Sequence, residues 1–141
     1  MNHTASLNYT PTDIVSVSDY ERYAREALAY DVLEYINAGV ADDITLDRNR
    51  IAFDAMSIYN RVLNDFSHSS TQVELFSGRL KQTLSHPILL APVAHQTLIH
   101  ADGEIATAQA AAALNIPMIV STLASKRLED IAQHAGPHWF Q

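Results

Sequence analysis

The stretch that decides the fold is PILLAPVAHQTLIHADGE, residues 87–104, because it joins a strand pattern to the start of a helix. Its apolar run at 88–91 has no alternation, which is typical of a strand buried on both faces of a parallel sheet. The connection that follows is polar and contains no glycine before Gly103. Since functional groups collect on connections that a rigid scaffold positions, we expect the chemistry of this chain to lie here.

The residues after this stretch repeat the same order of elements. An alanine-rich segment over about 103–114 predicts a helix, and the apolar run at 118–120 predicts a second buried strand. Ser125 is expected to cap the next helix, and residues 138–141 to open a third strand. The inner faces of the two helices are expected to carry Ile105, Ala108, Ala112, Leu128, Ile131, Ala132 and Ala135. Strand, helix, strand, helix, strand is the order of consecutive right-handed crossovers.

Three helices are predicted upstream of this region. A capping-box spacing at Ser18 and Glu21 predicts the start of the first. The second is expected over about 30–38, closed by Gly39 in a left-handed turn, and the third over about 44–57. The buried face of the second helix is expected to carry Val32, Tyr35 and Ile36.

Composition limits the class of protein. A chain of 141 residues with 48% hydrophobic content can bury the core of one compact domain. The net charge of -7, with 9 Lys and Arg, argues against a nucleic-acid or anionic-membrane surface. The chain has no cysteine, which fits a reducing cytoplasm, and neither a signal peptide nor a run of about 20 apolar residues is recognisable. We therefore expect a soluble, cytoplasmic protein.

Two architectures are built from such repeats, an open doubly wound sheet and a closed eight-stranded barrel. A dinucleotide-binding sheet would place a glycine-rich turn after its first strand, but residues 92–96 contain no glycine. In a barrel, ligand-contacting residues lie at the carboxyl ends of the strands, here 91–95, 121–123 and Gln141 onward. A whole barrel takes about 250 residues. We therefore predict an α/β fold, with an N-terminal helical segment followed by the first three strands of a truncated (β/α)8 TIM barrel.

The domain organisation follows from these elements. Val73 and Leu75 alternate with polar residues, and Ser77-Gly78 is typical of a hairpin turn. The predicted parts are a flexible tail at 1–15, N-terminal helices at 16–66, a hairpin segment at 67–86 and the first βαβαβ part of an incomplete barrel at 87–141.

Several motifs, taken in order, carry a family resemblance. They are APVA at 91–94, HADGE at 100–104, STLAS at 121–125 and WFQ at 139–141, preceded by YINAG at 35–39 with Asp47-Arg48-Asn49 and Phe53. With them the chain resembles, from about Ser16 to Gln141, the N-terminal part of the FMN-dependent 2-hydroxy acid dehydrogenases and oxidases. This family includes glycolate oxidase, lactate oxidase and flavocytochrome-type lactate dehydrogenase.

The resemblance implies roles for individual residues. It implies substrate binding by Tyr35, whose hydroxyl would bind the substrate carboxylate, and by Leu123, at a position where some branches carry Trp. The residues that it implies in FMN binding are Pro92, Val93 and Ala94, whose backbone would lie beside the ring with an amide near its N5, together with Ser121 and Gln141. From the residues alone, Tyr35 as a core residue and the polar strand-end residues as loop caps stay open alternatives.

The resemblance also implies the reaction, which is oxidation of a 2-hydroxy acid to a 2-oxo acid through FMN. In the family the catalytic base, the substrate arginines and the phosphate-binding loops lie further along the chain than Gln141, so we expect no catalytic residue here and an inactive chain. No metal is expected, because His95 and His100 lack carboxylate or thiolate partners.

The expected partners are a small 2-hydroxy acid and the missing C-terminal part of the barrel or a complementary chain, with no nucleic acid. The complete protein is expected to be a homo-oligomer, and dehydrogenase-type members would be peripheral to the membrane. Two alternatives remain: a non-enzymatic barrel fragment that associates with a complementary chain, and an unrelated small α/β domain.

Overall fold

The computed structural model describes residues 11–141, and the chain divides after Phe66 into two compact units. The first unit is helical, and the second contains all the strands of the described residues. The tail predicted at 1–15 lies, for residues 1–10, outside the described residues. None of the helices within 11–141 has the length and apolarity needed to cross a bilayer.

The first unit contains α1 (Tyr20–Ala27), α2 (Tyr30–Asn37) and α3 (Ile44–Asp54). A single 3₁₀ turn, Val17–Asp19, leads into α1. The Asp19 carboxylate accepts hydrogen bonds from the backbone N–H groups of Val15 and Ser16 at 2.9 and 2.7 Å. It thus provides an acceptor for N–H groups that the turn leaves without a backbone partner. The predicted capping pair of Ser18 and Glu21 is therefore wrong by two residues, and Glu21 pairs instead with Arg25 one helical turn later.

Two further expectations for α2 are wrong. The helix buries Leu33, whereas Tyr35 and Ile36 are exposed. Among the described glycines a positive φ is found at Gly78 and Gly103, and the chain leaves α2 through an extended Ala38 instead of a left-handed Gly39. Gly39 is constrained by space, since an added Cβ would lie 2.6 Å from the Asp43 carboxylate.

The second unit begins with a hairpin. Its strands β1 (Val73–Leu75) and β2 (Gln82–Leu84) pair antiparallel through a turn at Gly78–Leu80. The indole N–H of Trp139 donates to Gln82 Oε1 at 2.9 Å, and the Phe76 ring lies 5.4 Å from the Trp139 ring. The hairpin is thus fixed to the strand that contains Trp139.

The rest of the second unit is a parallel α/β arrangement. It contains α4 (Glu104–Ala113), β3 (Met118–Val120), α5 (Leu128–Ala132) and β4 (His138–Phe140). β3 and β4 pair in parallel, and Leu90 forms a parallel bridge to Met118 on the other side of β3. The spatial order is therefore Leu90, β3, β4, as in consecutive crossovers.

The strand expected at 88–91 is reduced to this bridge. Leu90 N–H donates to Pro117 O, and Ile119 N–H donates to Leu90 O, both at 3.0 Å. The next donors of this ladder would be the N–H groups of residues 92 and 117, which are both proline and supply none. The paired segment is short because its two ends cannot extend it.

Small helix residues let α4 approach the sheet. The buried cluster contains Ala108, Ala111, Met118, Val120 and Ile131. Ala108 was expected on this face and Ala111 was not, whereas Leu128 and Ala132 of the expected α5 face are exposed. A five-residue helix turns less than twice, so Ile131 alone points fully inward.

Candidate functional site

Three connections meet at the carboxyl edge of the parallel strands. Residues 91–95 follow Leu90, residues 121–125 follow β3, and Gln141 follows β4. The N–H of His95 donates to Leu123 O at 3.1 Å, and the N–H of Gln141 donates to Val120 O at 2.9 Å. These bonds bring the three segments together, and we call residues 91–95, 121–125 and 141 the strand-end face.

The first segment offers backbone. Pro92 and Ala94 are half-buried, and Val93 is exposed. The Val93 carbonyl accepts the side-chain amide of Gln96 at 3.4 Å. Within residues 11–141 the Ala94 N–H makes no hydrogen bond, and in this sense we call the donor open. His95, which follows, has a positive φ of 53°, which turns the chain sharply away from the face.

The second and third segments offer side chains. Ser121 is only 6% exposed, and its hydroxyl oxygen accepts the Leu123 N–H at 3.1 Å. The hydroxyl proton of Ser121 therefore remains available to donate. Leu123 is 57% exposed, and Gln141 is also exposed. The face thus combines a buried hydroxyl, an accessible apolar side chain and an amide that can both donate and accept.

Glu104 was not among the site residues expected from the sequence. Its side chain is completely buried. Oε1 accepts the N–H groups of Ser125 at 2.8 Å and Gln96 at 3.2 Å, and Oε2 accepts the N–H of Lys126 at 3.2 Å. Burial acts to raise the pKa of Glu104, but hydrogen bonds from these three N–H groups and its own outweigh it and lower that pKa.

Further contacts join the loops around Glu104. The Thr107 hydroxyl donates to Gln96 Oε1 at 2.6 Å, and the Thr97 N–H donates to Ser125 Oγ at 3.2 Å. Ser125 therefore does not cap α5 as expected. Its side chain accepts the Thr97 N–H, and the residue at the cap position is Arg127. Gly103 is buried with φ 49° and ψ -126°, a conformation that residues with a Cβ avoid.

A groove of about 570 Å³ lies beside the first connection. It runs between this connection and α4, and its lining is largely apolar. Its members include Leu90, Val93, Ile99, Ala106 and Ala110. Among the polar members, Gln96 and Thr107 bond to each other and His100 remains, so the groove presents mainly a hydrophobic surface.

Tyr35 belongs to the first unit, on α2, and is 58% exposed. The alternative that Tyr35 is a buried core residue does not fit this exposure. The other predicted site residues, Pro92, Val93, Ala94, Ser121, Leu123 and Gln141, all belong to the strand-end face of the second unit.

The donor set of the strand-end face fits a planar heteroaromatic ring with nitrogen and oxygen acceptors at its edge. An open backbone N–H at Ala94, a hydroxyl at Ser121 and an amide at Gln141 offer donors without adding charge. The small Ala91 and Ala94 side chains allow such a ring to approach the backbone. These residues are therefore the ones that could hold a flavin ring.

Comparison with known proteins gives a consistent result. Residues 24–141 match the family described as FMN-dependent dehydrogenase. The chain is 42% identical over 132 residues to an L-lactate oxidase of Alicycliphilus denitrificans, covering 93% of this chain and 35% of that protein. It is 38% identical over 130 residues to human 2-hydroxyacid oxidase 2, covering 91% of this chain and 36% of the relative.

Solved structures give the same result. A crystal structure of mandelate oxidase superimposes with a TM-score of 0.82 at 34% identity, covering 91% of this chain and 36% of that one. Another structure, of a mandelate oxidase mutant that carries an FMN adduct, has a TM-score of 0.79. The chain therefore spans about a third of the length of the relatives it matches.

Proposed function

Because the chain belongs to the FMN-dependent dehydrogenase family, we propose that it is the front section of a flavoenzyme that oxidises a 2-hydroxy acid to a 2-oxo acid. The strand-end face carries this proposal, since the open Ala94 N–H and the buried Ser121 hydroxyl lie on segments joined by the bond from His95 to Leu123. A lactate-like or glycolate-like acid is the proposed substrate class, in keeping with the relatives named lactate oxidase and 2-hydroxyacid oxidase.

The finer architecture is part of the proposal. Leu90, β3 and β4 would be the first three strands of a (β/α)8 barrel, in the order that consecutive crossovers produce. The mandelate oxidase superposition supports this assignment. The edge of Leu90 that faces away from β3, and the apolar groove beside it, would then be covered by later parts of the barrel.

Each of the predicted site residues would position the cofactor or the substrate. FMN, when bound, supplies the two-electron acceptor for the reaction. The Ala94 N–H would donate to a ring nitrogen, Ser121 would donate its hydroxyl proton, and Gln141 would pair with the polar edge of the ring. The Tyr35 hydroxyl would donate to the substrate carboxylate, and Leu123 would contact the substrate side chain.

The partners that we propose are a 2-hydroxy acid and the remaining two thirds of the barrel, supplied by a longer chain or by a complementary one. The length of the relatives supports this, because this chain spans 35% of the lactate oxidase it matches. A second candidate, a non-enzymatic fragment that associates with a barrel piece, is favoured by the apolar groove alone.

Complementation tests the proposal. The 141-residue chain alone is expected to bind FMN weakly and to show no turnover. Co-expression with the C-terminal two thirds of a related oxidase should give a yellow complex that oxidises lactate or glycolate, monitored by the flavin absorbance and by 2-oxo acid formation. A stable complex that stays colourless with added FMN would favour the non-enzymatic candidate instead.

A further inference from the structure

Glu104 is the most deeply buried charged group that the proposed chemistry does not use. It is 0% exposed, and within residues 11–141 its carboxylate lies in no ion pair. Burying an unpaired carboxylate is costly unless hydrogen bonds to it replace water. Here three backbone N–H groups do so, at 2.8 to 3.2 Å.

The three donors come from both sides of the strand-end face. Gln96 directly follows the segment that contains Ala94. Ser125 is the last residue of the segment that contains Ser121 and Leu123, and Lys126 directly follows it. A backbone hydrogen bond joins these loops, from the N–H of His95 to Leu123 O. The two oxygens of Glu104 therefore connect both loops, and the N–H of Thr97 adds a bond to Ser125 Oγ.

The position of Glu104 is itself well fixed. It is the first residue of α4, it follows the constrained Gly103, and its helix packs through Ala108 and Ala111 on β3. A carboxylate at this end of a helix is also favoured by the helix dipole. The rigid helix can therefore transmit its position to both loops.

We propose that Glu104 is a positioning residue, which holds the loops after the first two parallel strands in the register that the flavin ring requires. The proposal rests on the proposed function for its flavin part, whereas its loop part concerns this chain alone. A purely space-filling role makes a different prediction, because glutamine fills the same volume as glutamate but cannot accept with both terminal atoms.

Amide hydrogen exchange on the 141-residue chain tests the loop part. The N–H groups of Gln96, Ser125 and Lys126 should exchange slowly, and Glu104→Gln should accelerate all three by about tenfold, since hydrogen bonds to a charged group are lost. Glu104→Asp, which keeps the charge, should retain more protection than Glu104→Gln. The exposed Glu129→Gln, with the same chemical change, should match the wild type.

The outcomes of this experiment are decisive. If the three amides exchange in Glu104→Gln as slowly as in the wild type, the proposal is overturned. It is also overturned if exchange is equally accelerated at Ile119, whose N–H donates to Leu90 O in the sheet. If Glu104→Gln does not fold, the wild-type rates decide alone, and rates equal to those of an unstructured peptide would overturn the proposal.

The flavin part is tested in the complemented enzyme. Glu104→Gln should raise the Kd for FMN by about tenfold and shift the flavin absorbance maximum, whereas Glu129→Gln should do neither. Normal FMN binding with accelerated loop exchange would overturn the positioning role. If the complemented wild type takes up no FMN, the proposed function fails, and the exchange rates still decide whether Glu104 holds the loops.

Discussion

Gly103 shows how one residue can fix the start of a helix next to a site. Its φ of 49° with ψ of -126° is a conformation in which a side chain is strained. An added Cβ would lie 2.9 Å from Thr97 Cγ2 and 3.2 Å from the Thr97 N–H nitrogen. Thr97 lies in the connection between Leu90 and α4. The absence of a side chain at Gly103 therefore lets this connection pass close to the N-terminus of α4.

We predict that Gly103→Ala lowers the free energy of unfolding by about 1–3 kcal/mol, the cost of such backbone strain. Urea denaturation followed by circular dichroism measures it. Gly136→Ala is the matched control, because its Cβ would lie 3.5 Å from Ala112, which is ordinary contact. Equal stability of the two variants would contradict the argument.

Tyr35 allows a direct test of substrate binding. Tyr35→Phe in the complemented enzyme should raise KM for the 2-hydroxy acid by about tenfold, because one hydrogen bond to a charged carboxylate is lost. The flavin absorbance should stay unchanged. Tyr30→Phe, on the same helix and likewise exposed, is the control. An equal rise in KM for both variants would contradict a role of the Tyr35 hydroxyl in substrate binding.

At the scale of elements, the apolar pattern located the strands well. The run Met118–Val120 was predicted as a buried strand and is β3, because Pro117 and Ser121 bound it on both sides. The strand expected at 88–91 pairs at Leu90 alone, since Pro92 and Pro117 lack the N–H groups that would extend the ladder. Local sequence therefore predicts which segments are buried better than it predicts how far they pair.

The hairpin contact is an element-scale feature that no local pattern announces, because Gln82 and Trp139 are far apart in sequence. Gln82→Ala should destabilise the chain by about 1 kcal/mol and shift the emission of Trp139, the only tryptophan. Fluorescence-detected urea unfolding measures both effects. Gln133→Ala, at an exposed turn, should leave the emission unchanged. If Gln82→Ala changes neither the stability nor the emission, the bond between Gln82 and Trp139 contributes nothing to stability.

The same reason explains why the role of Glu104 could not be predicted from the sequence. The motif HADGE pointed to a helix start, but the partners Ser125 and Lys126 come close only after the crossover through β3 has formed. The place of the expected site residues at the strand ends could be predicted from the order of elements, and their role in ligand binding stays a prediction. A contact that depends on two loops meeting could not be predicted.

At the scale of the whole molecule, three carboxylates contribute to acid sensitivity. The pKa of Glu104 is lowered although burial acts to raise it, because backbone N–H groups bond the carboxylate. The pKa of Asp19 is lowered chiefly by the N–H groups of Val15 and Ser16, and that of Asp13 by the Tyr23 hydroxyl. In each case the unfolded chain takes up its proton at a higher pH than the folded chain.

The contribution of these carboxylates to the free energy of unfolding should therefore be complete above about pH 5. It should be lost as the pH falls through the pKa values of the folded chain. Urea titrations at pH 7 and at successively lower pH measure this. The stability difference between the wild type and Glu104→Gln should shrink in acid, because the wild-type carboxylate then becomes neutral as well. A difference independent of pH would contradict the assignment to the Glu104 charge.

The parallel pairing of Leu90, β3 and β4 also has a consequence for biosynthesis. Each strand pairs with the next one to be translated, and the helix between them covers the pair, so the contacts remain short in sequence. During synthesis from the N-terminus, each new strand can be added to a surface that has already left the ribosome. The order of residues along this unit is thus also the order in which it can assemble.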